Sequence, residues 1–267
     1  MTKTTRVAVA RVSSVASTVL QEKGQGGSLP VSILALAVNE YLELEGLSSK
    51  AQFDGRLELC CGKPTIYINV RGRDLEDPRV RFTLGHELGH FFLHRRWLRR
   101  GIAFHDADVF QKDEVIQIER EANLFASECL LPEVPVRRIL GSKMLSLSLV
   151  QQVASSANAS IRATAIRLAH LTTCRCCFFW EEEGKIVWSA PSDDWRQGKF
   201  PFVAWKGRLP ANSQAAAAGD GFAEREVPLK VWHPNAWERE APLYESALKT
   251  TSGRLIFVVD SLGDLIG

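Results

Sequence analysis

The string His86-Glu87-Leu88-Gly89-His90 constrains this chain more than any other feature. In a helix, residues four apart lie one turn from each other on the same face, so one metal ion can reach both imidazoles. The flanking sequence predicts that helix: Asp77 is an N-cap, Pro78 occupies the first helical position, and the helical pattern runs to about Leu98. Phe82, Leu84, Phe91 and Phe92 hem the pair with apolar groups. Imidazoles without partners are costly there, which weakens the alternative of two surface histidines on an amphipathic helix.

Two histidines are one ligand short, because a catalytic zinc usually has three protein ligands and an open position. His94 continues the spacing but lies roughly 12 Å along the axis from His86, too far to share the ion with both. The longer His-Glu-x-x-His-x-x-Gly-x-x-His pattern is excluded, since Leu93 stands at its glycine and Arg96 at its last histidine. A second helix is predicted from about Asp113 to Leu131, stopped by Pro132. On it, Glu119, Ala122, Asn123 and Ala126 share a face. The small residues there, together with Gly85 and Gly89 on the first helix, let two backbones come close. Glu119 is therefore the expected third ligand. Asn123, one turn on, is expected to orient a ligand histidine by a hydrogen bond. Glu121 sits about 200° around the helix from Glu119 and should point elsewhere.

These parts imply peptide hydrolysis without a covalent intermediate. A cation held by His86, His90 and Glu119 would acidify a water and polarise a scissile carbonyl, and Glu87 would act as general base and then protonate the leaving amine. Zn2+ is the expected metal, although Mn2+ or Fe2+ suits the same ligands. Tyr67, His94, His105 and Arg81 are all available as oxyanion stabilisers, and sequence does not choose among them. The strand Thr65 to Val70 could pair with an extended substrate if it lies at a sheet edge; an ordinary core strand is an equal reading.

The rest of the chain reads more plainly. Met1 to Gln21 suggests a first helix, because Arg11 interrupts the apolar run Val7 to Val19 that a secretory leader would need. A helix is expected over Pro30 to Leu44, burying Ile33, Leu34, Leu36, Ala37 and Tyr41. Leu57 to Cys60 and Thr65 to Val70, around Cys61-Gly62-Lys63-Pro64, predict a hairpin. Leu145 to Leu171 suggests two short helices joined near Asn158-Ala159-Ser160, a helix-turn-helix shape. After Cys174 the texture changes to tryptophans, Pro/Gly turns and strand-like Lys185 to Trp188 and Arg254 to Asp260. The 33 Lys+Arg against 31 Asp+Glu leave only +2, so no global field argues for nucleic acid or an anionic membrane. No run approaches the roughly 18 apolar residues of a membrane span. The cysteines, Cys60-Cys61, Cys129 and Cys174-x-Cys176-Cys177, fit reduced thiols in a cytoplasm; the triplet lacks a fourth ligand at finger-like spacing.

The run Arg81-Phe-Thr-Leu-Gly-His-Glu-Leu-Gly-His-Phe-Phe-Leu-His94, with Glu119-Arg-Glu-Ala-Asn-Leu-Phe-Ala126 and Leu130-Leu-Pro132, resembles the ImmA/IrrE family of metallo-endopeptidases. The resemblance covers about residues 30 to 172. It implies an α+β fold with a mainly helical zincin-like peptidase domain, similar to thermolysin-like enzymes, that carries a small β-sheet. It also implies a helix-turn-helix-like segment and a C-terminal β-rich, sensor-like domain. The expected division is 1–29 arm or helix, 30–140 peptidase, 141–172 helix-turn-helix-like segment and 173–267 C-terminal domain. Members of the family look like bacterial or phage regulators that cleave a helix-turn-helix repressor under stress. A second reading is a DNA-binding regulator with a vestigial peptidase fold, supported by the Leu145 to Leu171 pair and the basic cluster His94 to Arg100. Against it, Arg162, Arg167 and His170 are few groups for base or phosphate recognition. A third reading, an interaction protein with structural zinc, needs a fourth ligand that the sequence does not offer.

Overall fold

The structure is a computed structural model and describes residues 3–48, 53–60, 62–99, 112–197, 207–217, 222–233 and 242–260. The fold is α+β and divides into two compact units, Met1–Ile139 with Ala154–Ser160, and Leu140–Val153 with Ile161–Gly267.

The first unit contains α1 (Lys3–Glu22), α2 (Ile33–Asn39), β1 (Glu43–Leu47), β2 (Gly55–Cys60), β3 (Lys63–Asn69), α3 (Pro78–Leu93), α4 (Arg95–Leu98), α5 (Lys112–Leu130) and α6, which begins at Glu133 and ends at Leu140. The strands form a sheet in the order β1-β3-β2, with β1 parallel and β2 antiparallel to β3. Leu57 lies opposite Ile66, and both are buried, as is Ile68 opposite Gly55. This face packs on α3, because alternate residues of a strand point to one side.

One expectation needs correction here. The helix over Pro30 to Leu44 is shorter: Ser32 caps it, accepting from the Ala35 amide, and it ends at Asn39. Tyr41 then takes a left-handed φ of 56° and is 91% exposed, so it belongs to no buried face. Leu44 enters β1, where pairing with β3 overrides the local helical pattern. Of the two readings of Thr65 to Val70, the structure gives the core strand: β3 is the middle of the sheet, with β1 and β2 at its edges.

Helix α3 starts where Asp77 accepts from the Arg79 and Val80 amides at 2.9 and 3.4 Å, with Pro78 at the next position. The α3 and α5 backbones touch. A Cβ built on Gly89 would lie 2.9 Å from the Ala122 Cα, and one on Gly85 would lie 3.3 Å from the Ala126 Cβ. Val12, Ala16, Leu84, Leu88, Phe125 and Leu130 are buried around this contact. Arg81 is 3% exposed, and its guanidinium donates to the carbonyls of Val31, Ala157 and Asn158 at 2.7, 3.2 and 3.1 Å. It fastens one end of α3 to segments distant in sequence.

The second unit takes up α7 (Leu147–Ala157, whose last four residues belong to the first unit), α8 (Ile161–Leu171), β4 (Cys176–Glu182), β5 (Lys185–Pro191), α9 (Asp193–Gln197), α10 (Gln214–Ala217), β6 (Phe222–Val227), α11 (Leu229–Trp232), β7 (Leu243–Thr250) and β8 (Gly253–Asp260). The sheet order is β5-β4-β8-β7-β6, antiparallel throughout. Cys177, Phe179, Trp195, Trp232, Ile256 and Val258 form one core. Glu245, fully buried there, accepts from the Trp232 indole and the Ala215 amide, both at 2.8 Å. Cys176 and Cys177 are consecutive strand residues, so their side chains leave opposite faces of the sheet, and both are buried. That spacing does not hold one metal ion between them. No helix among the described residues is long and apolar enough to cross a membrane.

Burial pushes the thiols of Cys129 and Cys177 up from their ordinary value, while Cys60 is exposed. Iodoacetamide at mildly alkaline pH should therefore label Cys60 in the native protein and reach Cys129, Cys176 and Cys177 only in denaturant. Peptide mass mapping reads this, and native labelling of Cys129 as fast as Cys60 would contradict the packing.

Candidate metal centre

His86 and His90 project from one face of α3, their rings edge to face with centroids 4.6 Å apart. Their Nε2 atoms are 3.0 Å from each other. Glu119 reaches across from α5, with Oε2 3.3 Å from His86 Nε2 and Oε1 3.4 Å from His90 Nε2. One donor atom from each residue lies within 4.8 Å of the other two. The helix contact at Gly89 and Ala122 sets this distance, since Glu119 stands one turn before Ala122.

Hydrogen bonds decide which ring nitrogen faces inward. Asn123 Oδ1 lies 3.1 Å from His86 Nδ1 and accepts its hydrogen. His90 Nδ1 lies 3.2 Å from His94 Nδ1, and His94 Nε2 donates to Glu121 Oε2 at 3.2 Å. Glu121 also accepts from Gln117 at 2.9 Å and pairs with Arg11 of α1. Both α3 rings thus engage a partner through Nδ1 and turn Nε2 toward Glu119. Two imidazole nitrogens and a carboxylate that converge in this way suit a divalent cation such as Zn2+, Mn2+ or Fe2+.

Glu87 is 3% exposed. Burial raises its pKa, the Glu119 charge adds to this, and His86 with the Leu57 N–H only partly offsets it, so the group is pushed up to about 7. Burial also acts to raise Glu119, but the adjoining His86 and His90 imidazoles outweigh it and hold that carboxyl well below the usual range. Burial pulls His90 down to about 4. His86 also feels burial, but Glu119, Glu87 and Asn123 favour its charged form and leave it raised. Burial lowers His94 despite Glu121.

The residues expected as oxyanion stabilisers are scattered. Arg81 spends its guanidinium on three backbone carbonyls. Tyr67 lies on the face of the sheet turned from α3, its ring 5.2 Å from the Arg56 guanidinium. His94 stands behind His90, and His105 lies outside the described residues. Two features were not anticipated. Gly55 on β2 adjoins Glu87, so closely that a Cβ there would be 2.8 Å from its Oε1 and 2.5 Å from the Thr83 Cγ2. A glycine inside a strand is the signal for such an approach. The second is the run from His94 to Glu121 to Arg11, for which the four-residue step from His90 to His94 was the clue.

The profile of the IrrE N-terminal-like domain, Peptidase_M78, matches residues 44–169, a span that includes α3 and α5. A search of curated proteins finds no match. Among solved structures, a Mycobacterium tuberculosis transcriptional regulator is similar at a TM-score of 0.62 and 12% identity, covering 94% of this chain and 87% of that chain. At that identity the likeness is one of fold.

Valine is a better helix former than glycine, so Gly89→Val at an exposed position would be mildly stabilising. Here it should lose about 1–3 kcal/mol in urea unfolding, because the new side chain meets the Ala122 backbone. An unchanged or higher midpoint would contradict the contact.

Proposed function

Residues 44–169 are an IrrE N-terminal-like domain of the Peptidase_M78 family, and on that premise we propose that the chain is a zinc-dependent endopeptidase that cleaves a regulatory protein. One observation carries the reading: His86, His90 and Glu119 converge through Nε2, Nε2 and carboxylate oxygens beside the buried Glu87. His86, His90 and Glu119 would hold the cation, which when bound supplies Lewis acidity toward a water and the scissile carbonyl. Glu87 takes the water proton and delivers it to the leaving amine. Its raised proton affinity, a product of burial, makes it a stronger base than a solvated carboxylate. Asn123 and His94 hold the two rings in the orientation that this requires.

The substrate chain lies extended along β2, which is an edge of the sheet among the described residues and passes Glu87 at Gly55. Backbone pairing at such an edge accepts many sequences, so side-chain pockets set the choice of bond. The resemblance to the ImmA/IrrE family supports a helix-turn-helix repressor as the substrate, with the protease acting as a stress or mobile-element regulator in the cytoplasm. Within this reading the division at 30–140, 141–172 and 173–267 separates peptidase, helical pair and a sensor or docking module. Direct DNA binding through the helical pair is the weaker alternative. Within the second unit α8 packs against β4 and β5, Arg167 is 4% exposed, and the Arg162 guanidinium lies 5.2 Å from the Trp188 ring centroid. Little of that helix is left for a groove.

The test is the purified chain with zinc or manganese and the repressor encoded beside its gene. Glu87→Gln should keep one metal per chain and lose cleavage by a factor of about 10²–10⁴. Retained cleavage removes Glu87 from the mechanism, and no wild-type cleavage of any candidate partner returns the reading to a non-catalytic regulator.

A further inference from the structure

The hydrogen-bond run behind His90 has a direction set by chemistry. A carboxylate only accepts, so the hydrogen between His94 and Glu121 sits on His94 Nε2. A neutral His94 then has a bare Nδ1. That nitrogen lies 3.2 Å from His90 Nδ1, so the hydrogen between the two rings sits on His90. Glu119 Oε1, 3.4 Å from His90 Nε2, competes for the same hydrogen, and where His94 holds it on Nδ1 the Nε2 is left bare for a cation. Glu121 is fixed in turn by Gln117 on its own helix and by Arg11 on α1, and a second bond from α1 to α5 runs from Ser13 to Glu128 at 2.8 Å.

We propose that His94 is a positioning residue for His90, imposing the ring tautomer that leaves Nε2 open and anchoring it through Glu121 to Arg11 of the N-terminal helix. The proposal rests on the reading of His86, His90 and Glu119 as a metal site. It removes His94 from the oxyanion candidates and makes α1 part of the support of the centre. A His94 that merely filled space would leave the His90 hydrogen to Glu119, on Nε2.

Nitrogen-15 NMR of the zinc-free full chain reads the tautomer directly, with His90 assigned by comparison with His90→Gln. The wild type should show a bare Nε2 and a hydrogen-bearing Nδ1 at His90. In His94→Leu the hydrogen should move to Nε2, and zinc affinity, measured by competition with a chelator, should fall about 10–100-fold. His94→Gln should restore most of that affinity, because its amide accepts from His90 and donates to Glu121. A wild-type His90 with hydrogen on Nε2, or a His94→Leu chain with unaltered zinc affinity, overturns the proposal. If His94→Leu does not fold, the wild-type tautomer decides alone. A wild type that shows the stated tautomer yet takes up no zinc supports the hydrogen-bond run and overturns the peptidase reading.

Discussion

Two helices touch backbone to backbone where Gly89 of α3 meets Ala122 of α5, and the candidate centre depends on that contact. Glycine in a helix interior costs about 1 kcal/mol relative to alanine, and α3 carries Gly85 and Gly89 one turn apart. The expense is local and the gain is distance. With the axes this close, a glutamate side chain on α5 reaches 3.3 and 3.4 Å from two imidazoles on α3. With larger residues the same three side chains would stand apart. The rest of the unit holds the contact in register: the Asp77 cap starts α3, Arg81 ties it to three carbonyls, and Leu84, Leu88 and Phe125 fill the space around it.

The same geometry separates the two carboxyl groups electrostatically. Glu119 faces two imidazoles and is held ionised; Glu87 faces β2 and the interior, where burial dominates and its proton is held more tightly. Neighbouring acids with opposite displacements are what a ligand and a base require of their surroundings. Gly55 contributes by having no side chain, since a Cβ there would strike both Thr83 and Glu87. Across α3, His94 and Glu121 do for His90 what Asn123 does for His86.

Much of this could be foreseen because its causes are local. Asp77-Pro78 and Pro132 mark helix ends, the four-residue step pairs His86 with His90, and the Gly85, Gly89, Ala122 and Ala126 stripe announces a close helix pair. The positions that meet at 86, 90 and 119 follow from those signals. The sheet order did not, since β1 pairs in parallel with a strand some twenty residues away and nothing in Glu43 to Leu47 specifies that partner. The same holds for Tyr67, whose face is set by register with Arg56 and not by its own neighbours. His94 was visible as a third step along the helix, but its role depends on Glu121, which only the packing of α5 brings near. In the second unit the strands at 185 and 254 were readable, while the buried Glu245 and its indole partner were not.

The central claim is that one divalent cation sits where two imidazoles and a carboxylate from two helices meet. Crystals of the zinc-loaded chain, measured on both sides of the zinc absorption edge, test it most directly. The account predicts one anomalous peak per chain, within coordination distance of His86 Nε2, His90 Nε2 and a Glu119 oxygen, and about 2.0–2.2 Å from each. A peak at any other residues, or a loaded chain in which Glu119 makes no bond to the ion, would contradict it.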